Sequence, residues 1–157
     1  FVIQTGYHPE QMKSNMFDYI YHEHFSYFTV KVLRKLLKDC EMELIHVSLH
    51  KAKGGSIRAI VQHKGGERDL DESVESFVRA EELSAMHEPE TYRRFANQIG
   101  HRKKELLELL KTILSDGHSV VGYGASHSTT TLMHHFELGY MFYLYNNSLY
   151  FYLFAVQ

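Results

Sequence analysis

Two short runs of alternating apolar and polar residues, separated by a pair of glycines, constrain the fold of this chain most strongly. Met42–Leu49 and Ser56–His63 each follow the two-residue period of a β-strand. Gly54-Gly55 between them marks a chain reversal, because glycine adopts the backbone angles that tight turns require. The segment therefore predicts a pair of antiparallel strands.

Helices are predicted before and after this strand pair in the sequence. Residues 29–40 form an amphipathic helix that Thr29 can cap. Residues 71–86 form a weakly amphipathic helix, and a long helix over 90–114 follows Pro89. This mixture of strands and helices indicates an α/β fold. The apolar face of the first helix consists of Val30, Leu33, Leu36, Leu37 and Cys40.

The remaining segments divide the chain into three parts. Phe1–Thr5 is typical of a buried strand, and residues 6–28 of a loop with one short helical turn. Val120–Tyr123 predicts another short buried strand, which leads through Gly124-Ala125-Ser126 into a helix. We expect one α/β unit over 1–66, a helical connector over 67–116, and the start of a second α/β unit over 117–157.

The composition excludes several classes of protein. The chain of 157 residues has a formal charge of −2 and 12 histidines, so it lacks the basic surplus of a general nucleic-acid binder. A single cysteine, Cys40, excludes an internal disulfide framework and fits a reducing compartment such as the cytoplasm. Because Cys40 falls on an apolar helical face, we expect a buried, inert thiol.

Both ends of the sequence are unusual. It begins at Phe1 within a strand-like run and without a signal peptide, which predicts a fragment. From Gly139 onward it has no charged residue and is dense in aromatics, yet it is too short and tyrosine-rich for a membrane helix. Two interpretations of this tail stay open: a strand pair turning at Asn146-Asn147, and an unnatural or truncated terminus.

The segment Tyr21–Phe28 concentrates the groups with the most chemistry. Its two imidazoles, carboxylate, hydroxyl and phenols can move protons near neutral pH. His22 and His24 alone give a metal ion too few ligands, so we predict no metal site. On chemistry alone, an acid–base site and a polar loop both stay open.

Two glycine-containing turns are further candidates. In Lys53-Gly54-Gly55-Ser56-Ile57-Arg58 the glycine amides, Ser56 and Arg58 could hold an anion, although a hairpin turn needs glycine as well. Gly122-Tyr123-Gly124-Ala125-Ser126 joins a strand to a helix N-terminus, the usual layout of a phosphate site. It lacks the third glycine of the dinucleotide fingerprint, so an anion or sugar-nucleotide contact fits it better.

In this order, the three segments resemble the C-terminal half of the S-adenosylmethionine-dependent sugar C-methyltransferases. Members of that family methylate a ring carbon of nucleotide-linked 4-keto-deoxysugars. The resemblance covers roughly Phe1 to Gly139. It rests on Phe17-Asp18-Tyr19-Ile20-Tyr21-His22-Glu23-His24-Phe25-Ser26-Tyr27-Phe28, on Gly54-Gly55-Ser56-Ile57-Arg58 and on Val121-Gly122-Tyr123-Gly124-Ala125-Ser126.

The resemblance implies a domain organisation and a set of partners. Residues 1–66 would be the C-terminal part of a class I, Rossmann-like methyltransferase domain with the catalytic loop. A connector over 67–116 would lead to the start of a second Rossmann-like domain over 117–157. The zinc-binding region and most of the S-adenosylmethionine site would lie upstream of Phe1. The protein would be cytoplasmic, with a nucleotide-linked deoxysugar substrate and neither nucleic acid nor membrane as a partner.

The resemblance also implies roles for single residues. His24 would be the base that removes the proton alpha to the ketone, while Glu23 orients it or adjusts its basicity. Tyr21 would hydrogen-bond near the developing oxyanion. Lys53 and His127 depart from the family pattern, as does the aromatic tail. The substrate contacts would be Ser56, Arg58, Tyr123, Gly124, Ala125 and Ser126.

Two alternatives belong to other functional classes. A non-catalytic nucleotide-sugar-binding remnant would lack the methyl-donor site. A metal-dependent hydrolase would use His22 and His24 as ligands. Under the leading hypothesis the isolated chain is itself expected to be inactive, because most of its methyl-donor site would lie upstream.

Overall fold

The computed structural model describes residues 1–123, 126–139 and 151–152, which form two compact units. The first unit comprises Phe1–Met16 and Phe25–Phe95, and the second comprises Phe17–His24 and the described residues of Ala96–Gln157. The strands are β1 (Val2–Gly6), β2 (Met42–His50), β3 (Ser56–His63), β4 (Gly122–Tyr123) and β5 (Phe151–Tyr152). The helices are α1 (His8–Lys13), α2 (Val30–Asp39), α3 (Glu72–Leu83), α4 (Pro89–Ser115) and α5 (His127–His135), with 3-10 turns at Phe17–Tyr19 and Ala52–Gly54.

A three-stranded antiparallel sheet organises the first unit. β3 lies between β1 and β2, with Val2 of β1 opposite Ile60 and Met42 of β2 opposite His63. The predicted antiparallel pairing of β2 with β3 is therefore confirmed. The chain has the small α/β architecture that the sequence predicts.

β1 is an edge strand of this sheet, which corrects the predicted buried strand. It pairs with β3, and no second strand pairs with it in the part of the chain that the structure describes. Phe1 is 64% exposed and Val2 is 59% exposed. An apolar run identifies a strand, but burial of both its faces depends on neighbours that the run does not specify.

The core of the first unit lies between the sheet and helices α2 and α3. β3 directs Ile57, Ala59 and Val61 to one face, as the two-residue period predicts, and all three are buried. Apolar side chains from the two helices complete this layer. They are Val30, Leu33 and Leu37 of α2 and Val74 and Val78 of α3.

α2 matches the predicted helix but buries a narrower face. Thr29 caps it as predicted, because its Oγ1 accepts a hydrogen bond from Val32 N at 3.3 Å. Leu36 is 49% exposed, since it lies about 90° around the helix from the buried seam. Cys40 is exposed, which corrects the predicted buried thiol. The helix ends at Asp39, and the chain leaves the helical path at Cys40.

A buried carboxylate joins α3 to the first turn of α2. Glu81 of α3 is 2% exposed. It accepts hydrogen bonds from Val30 N at 2.5 Å and Lys31 N at 2.9 Å, and also from the Tyr7 hydroxyl at 3.0 Å. These amides have no partner within α2, and the helix dipole favours an anion beside them. Burial, together with the charge of Glu81, raises the pKa of Tyr7, so its phenol remains the hydrogen-bond donor.

Helix α5 belongs to the second unit. Ser126 caps α5 by accepting a hydrogen bond from Thr129 N at 3.2 Å. Lys103 of α4 donates to Glu137 at 2.7 Å, just beyond the end of α5. Among the described helices, none is long and apolar enough to cross a membrane.

β4 is shorter than the strand predicted over Val120–Tyr123. Only Gly122–Tyr123 is a strand, which pairs in parallel with Phe151–Tyr152. Val121 is 59% exposed, so the expected burial of this run is wrong at that residue. The predicted turn at Asn146-Asn147 lies outside the described residues. The predicted division of the chain into three parts stays a prediction.

Candidate functional site

Residues Phe17–His24 of the predicted catalytic motif belong to the second unit, where Phe17 packs against the end of α5, and Phe25–Phe28 belong to the first unit. The Phe17 ring stacks on Phe136, with centroids 5.1 Å apart and planes 14° from parallel. It also lies 5.4 Å from the ring of His135. Phe136 is only 3% exposed, so this stack fixes the start of the segment to a buried point. The residues that follow are therefore held in place without a long helix or strand of their own.

The segment itself orients His24. Nδ1 of His24 lies 2.8 Å from the carbonyl oxygen of Tyr19. A carbonyl only accepts hydrogen bonds, so Nδ1 carries the hydrogen and the neutral ring has its basic lone pair on Nε2. The ring of Tyr19 lies 5.5 Å away at 17°, and that of Tyr21 lies 4.5 Å away at 39°. Together these contacts define both the tautomer and the plane of the imidazole.

Tyr21 is kept in its protonated form. Partial desolvation raises the pKa of its phenol, and the negative charge of Glu23 raises it further. Tyr19 and Asp18 act in the same direction. A tyrosine with the ordinary pKa of about 10 is already protonated at neutral pH, and this shift acts in the same direction, so the group is a hydrogen-bond donor that can serve an oxyanion.

His127, the first residue of α5, completes the cluster. Its ring stacks on Tyr21 at 5.6 Å and 23°, and meets His22 edge-on at 5.9 Å and 86°. Its Nε2 lies 4.0 Å from Oε1 of Glu23. Three imidazoles, a carboxylate and a phenol therefore share one region of the second unit.

The two histidines of the His-x-His motif have different surroundings. His24 packs against both Tyr19 and Tyr21, whereas His22 is exposed and contacts His127 edge-on. Within the described residues, no three histidine, cysteine or acidic side chains are arranged to hold a metal ion. The geometry thus presents His24 as the oriented imidazole of the pair.

The predicted substrate contacts Ser56 and Arg58 lie in the first unit, at the start of β3. The Ser56 hydroxyl is buried and donates to the carbonyl oxygen of Ala52 at 2.9 Å. Arg58 is exposed and donates to Oε1 of Gln4 at 3.2 Å. Of the two side chains, Arg58 therefore offers the accessible charged donor.

The glycine pair beside Ser56 is required by packing as well as by the turn. Gly54 and Gly55 have φ angles of +75° and +125°. A Cβ at Gly55 would lie 2.5 Å from Cβ of Glu10 in α1. The carbonyl oxygen of Gly55 accepts a hydrogen bond from Tyr7 N at 3.0 Å. These contacts favour the hairpin-turn interpretation of the two glycines over an anion cradle.

The third predicted motif is described in part. Gly124 and Ala125 lie outside the described residues. The backbone of Tyr123 pairs with Tyr152 in the short parallel sheet. Ser126 is the N-cap of α5, so its hydroxyl already serves the helix.

Sequence reasoning missed two groups of this cluster. The Tyr19 carbonyl that orients His24 is a backbone group, and backbone groups leave no residue-type signal. His127 was visible as a histidine directly after the Gly-Ala-Ser turn. Its spacing of more than 100 residues from the motif gave no sign that the two would meet.

Comparison with known proteins agrees with the resemblance seen in the motifs. Residues 51–147 match the family described as the C-methyltransferase C-terminal domain. The chain is also similar to C-methyltransferase NovU of Streptomyces niveus, with 30% identity over 140 residues. That alignment covers 89% of this chain and 33% of the relative, so the chain spans about a third of the length of the protein that it matches.

Proposed function

This chain belongs to the C-methyltransferase family and carries its C-terminal part. We propose that it supplies the catalytic base and the sugar-binding residues of a sugar C-methyltransferase. The proposed substrate is a nucleotide-linked 4-keto-deoxysugar, methylated on a ring carbon alpha to its ketone. The observation that carries this proposal is the hydrogen bond from His24 Nδ1 to the Tyr19 carbonyl. It gives the imidazole a basic Nε2 in an oriented ring.

His24 is the proposed general base. Its Nε2 takes the proton from the carbon alpha to the ketone, and the electron pair of that C–H bond moves into an enolate. The enolate carbon would then bond to the methyl group of the donor as the methyl–sulfonium bond breaks, and the electron pair of that bond would remain on sulfur, which leaves S-adenosylhomocysteine. The proton stays on Nε2 until solvent removes it, which restores the neutral ring.

Tyr21 and Glu23 support this step electrostatically. Tyr21 is protonated at neutral pH and can donate its hydrogen to the enolate oxygen. The carboxylate of Glu23 raises the pKa of Tyr21, because a nearby negative charge disfavours the phenolate. The proposed role of Glu23 is to orient His24 or adjust its basicity, as the family resemblance implies.

S-adenosylmethionine supplies the electrophilic methyl group in this scheme, and no residue of the chain is assigned to its binding. Most of its site, and the family's zinc-binding region, are proposed to lie upstream of Phe1. The open edge of β1 supports this arrangement, since further strands of a Rossmann-like sheet could pair there. Residues 117–157 are proposed to begin the second Rossmann-like domain, and the cytoplasm is the proposed compartment.

The sugar-nucleotide contacts are proposed at two places. Arg58 and Ser56 begin β3 in the first unit, and Arg58 supplies an exposed guanidinium suited to a diphosphate. The segment Tyr123–Ser126 leads into the N-terminus of α5, where helix amides favour an anion. Its predicted members remain Tyr123, Gly124, Ala125 and Ser126.

Proton exchange tests the base separately from methyl transfer. The full-length protein that carries this chain is incubated with the nucleotide-linked 4-keto-sugar in D2O, and deuterium at the alpha carbon is followed by NMR. His24→Gln should slow both exchange and methyl transfer by about 100-fold or more, the usual contribution of a general base. His22→Gln is the matched control, and it should retain exchange within a few-fold of the unsubstituted protein.

Two results would contradict the proposal. Undiminished exchange in His24→Gln would remove His24 from the role of base. Tight binding of S-adenosylmethionine by the isolated chain, measured by calorimetry, would contradict an upstream donor site. Sugar-nucleotide binding without exchange or methyl transfer in the full-length protein would favour the non-catalytic remnant.

A further inference from the structure

His127 joins the predicted catalytic segment to helix α5, at a position that the proposed mechanism does not use. It is the first residue of α5, directly after the capping Ser126. Its ring lies parallel to that of Tyr21, with centroids 5.6 Å apart and planes 23° from parallel. The other end of α5 meets the same segment through the stack of Phe136 on Phe17. α5 therefore contacts the segment at two points, one near each end of the helix.

The helix cap makes the position of His127 well defined. Ser126 Oγ accepts the hydrogen bond from Thr129 N at 3.2 Å and lies 3.0 Å from the Thr129 hydroxyl. A capped first turn has little backbone freedom, so the side chain at its first residue projects in a set direction. The side chain of His127 thus offers Tyr21 a defined surface, even though Tyr21 lies in a segment with only one short 3-10 turn.

Of the contacts that His127 makes, the stack on Tyr21 is the strongest. Stacked aromatic pairs contribute more than their buried area alone. The pair with Glu23 has a 4.0 Å separation, and its side chains are 64% and 52% exposed. Exposed ion pairs contribute little and are screened by salt. The edge-on contact with His22, at 5.9 Å, involves an exposed partner as well.

We propose that His127 is a positioning residue, which fixes the ring plane of Tyr21 by stacking on it from the N-terminus of α5. The proposal rests on the proposed role of Tyr21 as the donor to the enolate oxygen. A tilt of the phenol ring moves its hydroxyl sideways, and catalysis by a hydrogen-bond donor is sensitive to such displacement. His127 acts through Tyr21 and has no contact with the substrate in this scheme.

Kinetics of the full-length protein test this role with three variants. His127→Ala removes the stack and should lower kcat about two- to tenfold, with KM nearly unchanged. His127→Phe keeps a planar ring and should retain kcat within about twofold. His134→Ala, on the same helix and exposed, is the matched control and should leave both constants unchanged.

The pattern of these constants decides the proposal. A rise in KM with unchanged kcat would mean that His127 binds substrate directly, which overturns a positioning role. Equal losses in His127→Ala and His127→Phe would show that charge or hydrogen bonding matters, and the stacking proposal would be wrong. Full activity in His127→Ala would overturn it as well.

NMR of the chain itself tests the contact without any activity. The ring resonances of Tyr21 are assigned among those of the 11 tyrosines by comparison with Tyr21→Phe. They should shift in His127→Ala and largely return in His127→Phe, while His134→Ala leaves them in place. Unshifted resonances in His127→Ala would refute the stack. A shift together with normal methyl transfer in His24→Gln would instead refute the proposed function and leave the contact intact.

Discussion

The two units of this molecule each contain a prominent carboxylate, and the two carboxylates differ in how exposed they are. In the first unit the carboxylate of Glu81 is 2% exposed and accepts three hydrogen bonds from fixed donors. In the second unit Glu23 and His127 have side chains that are 52% and 64% exposed, and they lie 4.0 Å apart. One carboxylate is committed to the fold, and the other remains accessible.

This difference separates stability from chemistry. A buried carboxylate that accepts hydrogen bonds from fixed donors stabilises one backbone arrangement, and burial keeps it out of reach of a ligand. The rings of Tyr19 and Tyr21 and the Tyr19 carbonyl orient His24 in a region where neighbouring side chains are exposed. We therefore expect substitutions in the first cluster to affect unfolding, and substitutions in the second to affect turnover.

The largest expected effect follows from Glu81→Ala. It leaves Val30 N, Lys31 N and the Tyr7 hydroxyl without their acceptor in a buried place, which should lower the free energy of unfolding by about 3–5 kcal/mol. Urea denaturation measures this loss. Glu82→Ala is the matched control. This neighbouring carboxylate forms an exposed ion pair with Lys31, so its removal should change the free energy of unfolding far less. Equal losses of unfolding free energy in the two variants would contradict a special role of the buried carboxylate in the stability of the first unit.

A smaller loss in the free energy of unfolding is expected from a substitution in the Gly54-Gly55 turn, which the sequence offered as a possible anion site. Gly55→Ala forces a Cβ to within 2.5 Å of Glu10 Cβ and imposes a φ of +125° on alanine. Strain and overpacking together should destabilise the chain by about 2–4 kcal/mol. Gly65 also has a positive φ, but a Cβ there would meet nothing within 4 Å, so Gly65→Ala should cost only about 1 kcal/mol. Thermal unfolding distinguishes the two variants, and similar melting temperatures would argue against the close approach.

The sequence predicted those parts of the fold that rest on local patterns. The period-two runs located β2 and β3, and Pro89 marked the start of α4. Thr29 was identified as a cap because capping depends on neighbours three residues away. Burial was predicted less well, as Cys40 and Val2 show, because exposure depends on elements that are distant in the chain.

In the candidate site too, groups that are close in sequence were easier to predict than contacts between distant residues. His24 and Tyr21 stay predictions, which were drawn from the family resemblance of a short and chemically distinctive segment. Glu81 was hidden within a weakly amphipathic helix, since its partners at residues 7, 30 and 31 lie 50 or more positions away. The stack of His127 on Tyr21 was out of reach for the same reason.

The smallest effect we expect concerns one of two buried polar atoms of the first unit that have no hydrogen-bond partner among the described residues, the other being Oδ1 of Asn15. Nδ1 of His8 is buried and, among the described residues, has no hydrogen-bond partner. Its ring packs against Tyr27 at 5.2 Å and Tyr92 at 6.1 Å, in the wall of a pocket of about 140 Å³. Other charged or titratable groups also line that pocket. They are Lys31, Glu81, Glu82 and His87.

Burial lowers the pKa of His8, because a charged imidazole loses solvation there. The unfolded chain therefore binds a proton at higher pH than the folded chain does. As the pH falls through the ordinary range of histidine toward the lowered folded value, protonation favours the unfolded state and stability declines. His8→Phe keeps the ring packing and removes the titration. Urea denaturation at pH 7.5 and 5.5 should thus show a smaller acid-induced loss in His8→Phe than in the parent chain, whereas His63→Asn, at an exposed position, should behave like the parent. The same acid sensitivity in all three proteins would mean that burial of His8 does not contribute to the acid-induced loss of stability.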